Sequence, residues 1–223
     1  MFFQEDYNAP EERELPKATG SRLFFRILGQ ETASLLLLNI IFLLSCLPVV
    51  TIPPALLALH QVVRRMLVDK PVRSWEQYWE AFRQGWKRAY GAFALTALPL
   101  AAAGYGAWFY LRLTAINPVC CLPFAFCAVV FLIALLASSY LYGLLADGRK
   151  LTKETALLAL KLGLGKPLRA VLAAAGWYGV LAAAILWLPL SGAYLFLIGF
   201  SVPCLLRQFL TRTVLEKFGG RAE

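Results

Sequence analysis

Four stretches without a single Asp, Glu, Lys or Arg constrain this chain more than any other feature. They are Thr32 to Val63, Ala89 to Leu111, Leu113 to Ala146 and Ala170 to Leu206, each between 23 and 37 residues long. A helix rises about 1.5 Å per residue, so roughly 20 apolar residues cross a hydrocarbon core about 30 Å thick. A soluble fold has no use for four such runs. The chain is also 60% hydrophobic and 16% charged, where soluble domains sit near about one half and one quarter. Lipid is therefore the expected solvent, and an all-α membrane protein the expected fold class.

The breakers divide the runs. Pro189-Leu-Ser-Gly192 splits the last, and Pro48 with Pro53-Pro54 splits the first, because proline removes a backbone donor and clashes with the preceding turn. Asn117-Pro118 and Pro123 lie near the start of the third run and leave one full span behind them. Six transmembrane helices are predicted, near 30–47, 54–68, 89–111, 121–146, 169–189 and 192–212. They form three helical hairpins with proline-containing outer turns at Leu47-Pro48, Asn117-Pro118 and Leu188-Pro189. Charge counting agrees: of 22 basic residues only Arg112 falls outside, and no acidic residue does. A five-span alternative kinks 35–63 into one helix and puts the N-terminus outside. It exports acidic as well as basic residues, so the positive-inside rule does not separate the two. The six-span reading gives a cytoplasmic N-terminal segment (1–29, partly disordered then amphipathic), one membrane domain (30–212) and a cytoplasmic tail (213–223). The head lacks a basic n-region and cleavage site, and is expected to stay in the mature protein.

Between the second and third spans, Trp75, Tyr78, Trp79, Phe82 and Trp86 recur at spacings of 3 and 4. That is one apolar face of a helix, flanked by Arg73, Arg83, Lys87 and Arg88, and suits a membrane surface or a partner protein. The same face would equally pack on the protein itself. Polar groups within the spans are Asn39, His60, Gln61, Ser138 and Ser139, with Asp147 closing the fourth, and of these Asn39, His60 and Gln61 are the candidates to line a polar cavity. The alternative role for such groups is hydrogen bonding between helices. Small residues in Ala101-Ala-Ala-Gly104-Tyr-Gly106 and Ala173-Ala-Ala-Gly176 suit close helix contacts.

No catalytic set is legible. One histidine and five scattered cysteines give no metal-ligand spacing, so neither a metal nor another cofactor is expected. Gly163-Leu-Gly165-Lys166 fails as a phosphate loop, because its spacing is wrong and Pro167 stands where Ser or Thr would meet magnesium. The net charge of +9 is spread over membrane-flanking segments, as orientation and anionic lipid require, so nucleic acid is not an expected partner.

Arg22-Leu-Phe-Phe-Arg-Ile-Leu-Gly29, Leu38-Asn-Ile-Ile-Phe-Leu-Leu-Ser-Cys-Leu-Pro-Val-Val-Thr-Ile52, Pro54-Ala-Leu-Leu-Ala-Leu and Trp75-x6-Phe82-Arg-x3-Lys87 together resemble the YesL-like family. These are small membrane proteins, chiefly of Gram-positive bacteria, classed as a domain of unknown function. Pro53-Pro54 departs from the Gly plus small residue expected there and stiffens the bend. The resemblance implies a multi-pass protein of the bacterial plasma membrane, both termini cytoplasmic, encoded near carbohydrate ABC importers and sugar-sensing systems. It brings no catalytic residues. The expectation is a non-enzymatic accessory or regulatory component whose partners are the bilayer and an ABC transporter permease or sensor kinase. The alternative is a sugar-related transporter or permease component, with a homodimer then needed to enclose a path.

Overall fold

The computed structural model describes residues 21–68, 74–114, 117–186 and 199–218. Among them every regular element is helical. In chain order they are α1 (Ser21–Gln30), α2 (Thr32–Ser45), α3 (Ile52–Leu67), α4 (Ser74–Gln84), α5 (Trp86–Thr114), α6 (Cys121–Ala146), α7 (Lys153–Gly165), α8 (Pro167–Ala174), α9 (Val180–Leu186) and α10 (Ser201–Phe218). A single π-helical turn, Ala175–Gly179, joins α8 to α9.

Among the described residues, two helices are long and apolar enough to cross a membrane: α5, and α6 with the turn that leads into it from Pro118. Each is 29 residues, or about 43 Å at helical rise. Counting the bent pair α1–α2 as one span, broken by 78°, makes three. The third and fourth expected spans thus coincide with α5 and α6. The expected junction at 187–198 and residues 1–20 lie outside the described residues.

The two long helices hold each other through small residues. A side chain on Gly104 would meet the Phe131 ring at 3.3 Å, and one on Gly106 the Cys127 sulfur at 2.9 Å. Pro123 falls in the first turn of α6, where its missing N–H breaks no helical bond. Asn117 closes the connecting turn by accepting from the Val119 amide at 3.1 Å. Beyond about residue 100 in α5 and before residue 136 in α6, only Ala103 is fully buried. That half of the hairpin turns its Leu, Phe and Trp side chains outward, as a lipid-facing surface does.

The other half is embedded in a helical body centred on α3. Pro53 and Pro54 occupy the start of α3, and most of its side chains are buried. It touches α1, α2, α4, α5, α6 and α10. Helix α4 returns along α3 until Gly85, where a side chain would stand 2.8 Å from the Ala81 carbonyl and 3.3 Å from Leu57. Only glycine fits that corner. The chain turns there, so Trp86 opens α5 and does not belong to α4.

The first expected turn lies close to the start of α5. The bend after α2 is held by Tyr90, whose hydroxyl donates to the Val50 carbonyl, and by Ser45, whose hydroxyl pairs with Tyr78 at 2.5 Å. Tyr90 is one turn into α5. Next to it, Arg88 donates to the carbonyls of Gly148 and Arg149 at 3.3 and 3.2 Å. The 46–51 bend therefore sits at the basic end of the α5–α6 hairpin, opposite the 117–120 turn.

The basic stretch 149–169 folds into α7 and the start of α8. Thr152 caps α7 by accepting from the Thr155 amide at 3.2 Å. The helix then runs back along α6 until Gly163 lies against the Leu136 backbone. The last helix continues past the expected end at 212, and Val214 and Leu215 are buried beside α6.

Candidate functional site

Polar side chains at helical spacing converge in the body from three helices. His60 and Arg64 lie one turn apart on α3, Ser138 and Tyr142 one turn apart on α6. On α10, Ser201, Cys204, Gln208 and Thr211 recur at three and four residues, with Arg207 beside them. All are buried. The three stripes meet because each helix is otherwise apolar on the sides it shows its neighbours or the membrane.

At the centre, the Gln208 amide nitrogen donates to His60 Nδ1 at 2.9 Å. An amide nitrogen has no acceptor capacity, so with this orientation Nδ1 is the acceptor and the ring proton sits on Nε2. Cys204 Sγ lies 3.2 Å from the same nitrogen. The imidazole stacks on Tyr142, with centroids 4.9 Å apart, and tilts against Trp177 at 5.6 Å. Trp177 comes from the π-helical turn, a local distortion often found at functional positions.

Arg207 is only 2% exposed. One guanidinium nitrogen donates to the Ser138 carbonyl at 2.5 Å and lies 3.4 Å from its hydroxyl. The cation stands over the faces of Tyr142 and Trp177, at 5.4 and 5.8 Å. No carboxylate among the described residues pairs with it, and its Nε has no partner. Gln208 Oε1 and the Ser201 hydroxyl are likewise buried and unpartnered. Arg64, by contrast, grips Asp147 with two nitrogens at 2.7 and 3.2 Å. That bond ties the end of α3 to the end of α6.

The residues singled out from the sequence separate. Asn39 accepts from the backbone amides of Phe200 and Ser201, at 2.9 and 3.2 Å. It is thus a helix cap supplied from α2 to α10. His60 joins the Arg207 cluster, while Gln61, buried next to it, takes no part in those hydrogen bonds. On α4, Tyr78 and Phe82 pack inward and Trp79 is half-buried, whereas Trp75 is 54% exposed. Burial pushes the Tyr78 phenol well above its ordinary pKa, partly offset by its Ser45 bond, so it stays neutral. Arg83, Lys87 and Trp86 face outward, Arg88 is tied to the 148–149 backbone, and Arg73 lies outside the described residues.

Sequence reasoning missed Arg207, Gln208, Cys204, Tyr142 and Trp177 as a group. Arg207 ends a charge-free run and reads as the first residue of a basic tail. The signal that identifies it is the polar stripe of α10, which matches the spacing of a buried helix face.

A family described as a protein of unknown function, DUF624, matches residues 35–106, from α2 into α5. That is roughly a third of the chain, and it holds Asn39, His60 and the α4 face but not Arg207. No curated protein and no solved structure matches this chain.

Proposed function

We propose that this chain acts by binding rather than by covalent chemistry, as a non-enzymatic accessory or regulatory component beside a carbohydrate ABC uptake system. The α5–α6 hairpin anchors it, in a bacterial plasma membrane, with both termini on the cytoplasmic side. A hairpin that starts and ends at the basic face leaves the rest of the chain on that face. The bend at 46–51 then belongs to the same face, and the six-span arrangement gives way to one full hairpin plus a partly immersed body.

The observation that carries this reading is α4. Tyr78 and Phe82 fix the helix on the body, so Trp75 and Arg83 are presented on a rigid platform, with Lys87 just beyond the Gly85 corner at the start of α5. A rigid aromatic with flanking cations is what an interface hot spot uses. The test is purification of the tagged protein from its host in mild detergent, followed by mass spectrometry. A permease or sensor kinase in stoichiometric amount, lost in Trp75→Ala with Arg83→Ala, supports the reading. Recovery of the protein alone overturns it.

A second reading, a small-molecule transporter or permease component, draws on Arg207. A buried cation without a carboxylate is a natural seat for an anionic group of a solute. Flux of sugar acids or sugar phosphates into liposomes, abolished by Arg207→Met, would favour it. Tight vesicles over that panel would remove it.

A further inference from the structure

Helices α5 and α7 both pack on α6 and leave a groove between them of about 530 Å³. Its walls include Leu95 and Pro99 from α5 and Leu157 and Leu160 from α7, and its floor includes Ile133 and Ala137 from α6. Two hydroxyls reach it, and both are already spent. Thr96 donates to the Ala92 carbonyl at 2.9 Å and Ser138 to the Leu135 carbonyl at 2.8 Å. The groove is therefore apolar along its length.

Lys153, the first residue of α7, lines one end. It forms no ion pair among the described residues, and Arg149 and Lys150 precede it. Of the two nearby acids, Asp147 is held by Arg64 and only Glu154 remains. The strap 148–151 leads into α7 beside that end and is pinned to α5 by Arg88 and by Leu151, which occupies the space beside Gly91. The floor runs from Val130 to Leu141, about 16 Å at helical rise. One leaflet's share of a hydrocarbon core is about 15 Å.

We propose that this groove holds an acyl chain of an anionic phospholipid from the leaflet at the basic end, with its phosphate at Lys153. Both the length and the cation at the mouth fit that occupant. A lysine at such a surface is worth about fivefold in affinity for an anionic headgroup. The proposal stands apart from the partner reading above, since it uses α5, α6 and α7 and not α4.

The test is native mass spectrometry of the full chain in detergent, offered equal amounts of phosphatidylglycerol and phosphatidylcholine with identical chains. Wild type should retain phosphatidylglycerol in preference. Lys153→Gln should cut that preference about fivefold, while Lys161→Gln, on the exposed side of α7, should leave it unchanged. Ala156→Phe, which fills the groove, should reduce retention of both lipids. Equal retention of the two lipids by wild type overturns the proposal, and so does equal behaviour of the two lysine variants. If Ala156→Phe fails to fold, the lysine pair decides alone.

Discussion

Asn39 and Arg207 are polar residues sunk in the same apolar body, and physics assigns them opposite consequences on removal. Asn39 satisfies two amides at the start of α10 that have no helical acceptor. Asn39→Ala is expected to cost about 1–2 kcal/mol, read as a lower thermal midpoint in detergent. Arg207 donates to the carbonyl of Ser138, which lies inside α6 and has a helical donor of its own. Arg207→Met keeps the length and apolar stem and removes a charge that no carboxylate balances. The expected outcome is an unchanged or higher midpoint, by as much as about 1–4 kcal/mol. A marked fall would mean that the stacking on Tyr142 and Trp177 outweighs the cost of burying the charge. Asn39 was legible as a buried polar group but not as a cap, because its partners lie more than 160 positions away.

At the scale of elements, the long helices were legible and the corners were not. The predicted span 121–146 coincides with α6, because an uninterrupted apolar run leaves helix as the only way to satisfy its backbone in lipid. The corner at Gly85 was hidden, since the 3 and 4 spacing of aromatics continues through Trp86 while the backbone turns. Packing of α7 on α6 was hidden for a related reason: its lysines draw the eye to charge, whereas Gly163 makes the contact. A pair of substitutions within α7 checks this. Gly163→Ala would place a methyl 3.0 Å from the Leu136 carbonyl carbon, and helix backbone does not yield easily. A loss of about 1–3 kcal/mol is expected. Gly165 has nothing within 4 Å, so Gly165→Ala should be neutral or stabilising by about 0.4–1 kcal/mol. Equal melting of the two variants would contradict the α6–α7 contact.

For the whole molecule, sidedness is the quantity to measure. Single cysteines at Val49 and Val119, placed in a background with the native cysteines replaced, should label from opposite faces in intact cells. Val119 should react with an impermeant maleimide from outside, and Val49 only after permeabilisation. Labelling of both from outside would restore the first hairpin to a full crossing. The same architecture also dictates an order of events during synthesis. The cap on α10 comes from α2, the partners of His60 come from α10, and Phe24 of α1 rests on Phe209. Contacts of α1, α2 and α3 thus wait for α10. Until it is made, Asn39 lacks the two amides that it caps and His60 lacks the Gln208 amide, so these bonds cannot latch. A chain stopped before Ser201 should therefore reach the membrane through its hairpin yet stay open to proteases across residues 21–68. The N-terminal helices would thus stay soft until α10 arrives, with the hairpin already seated.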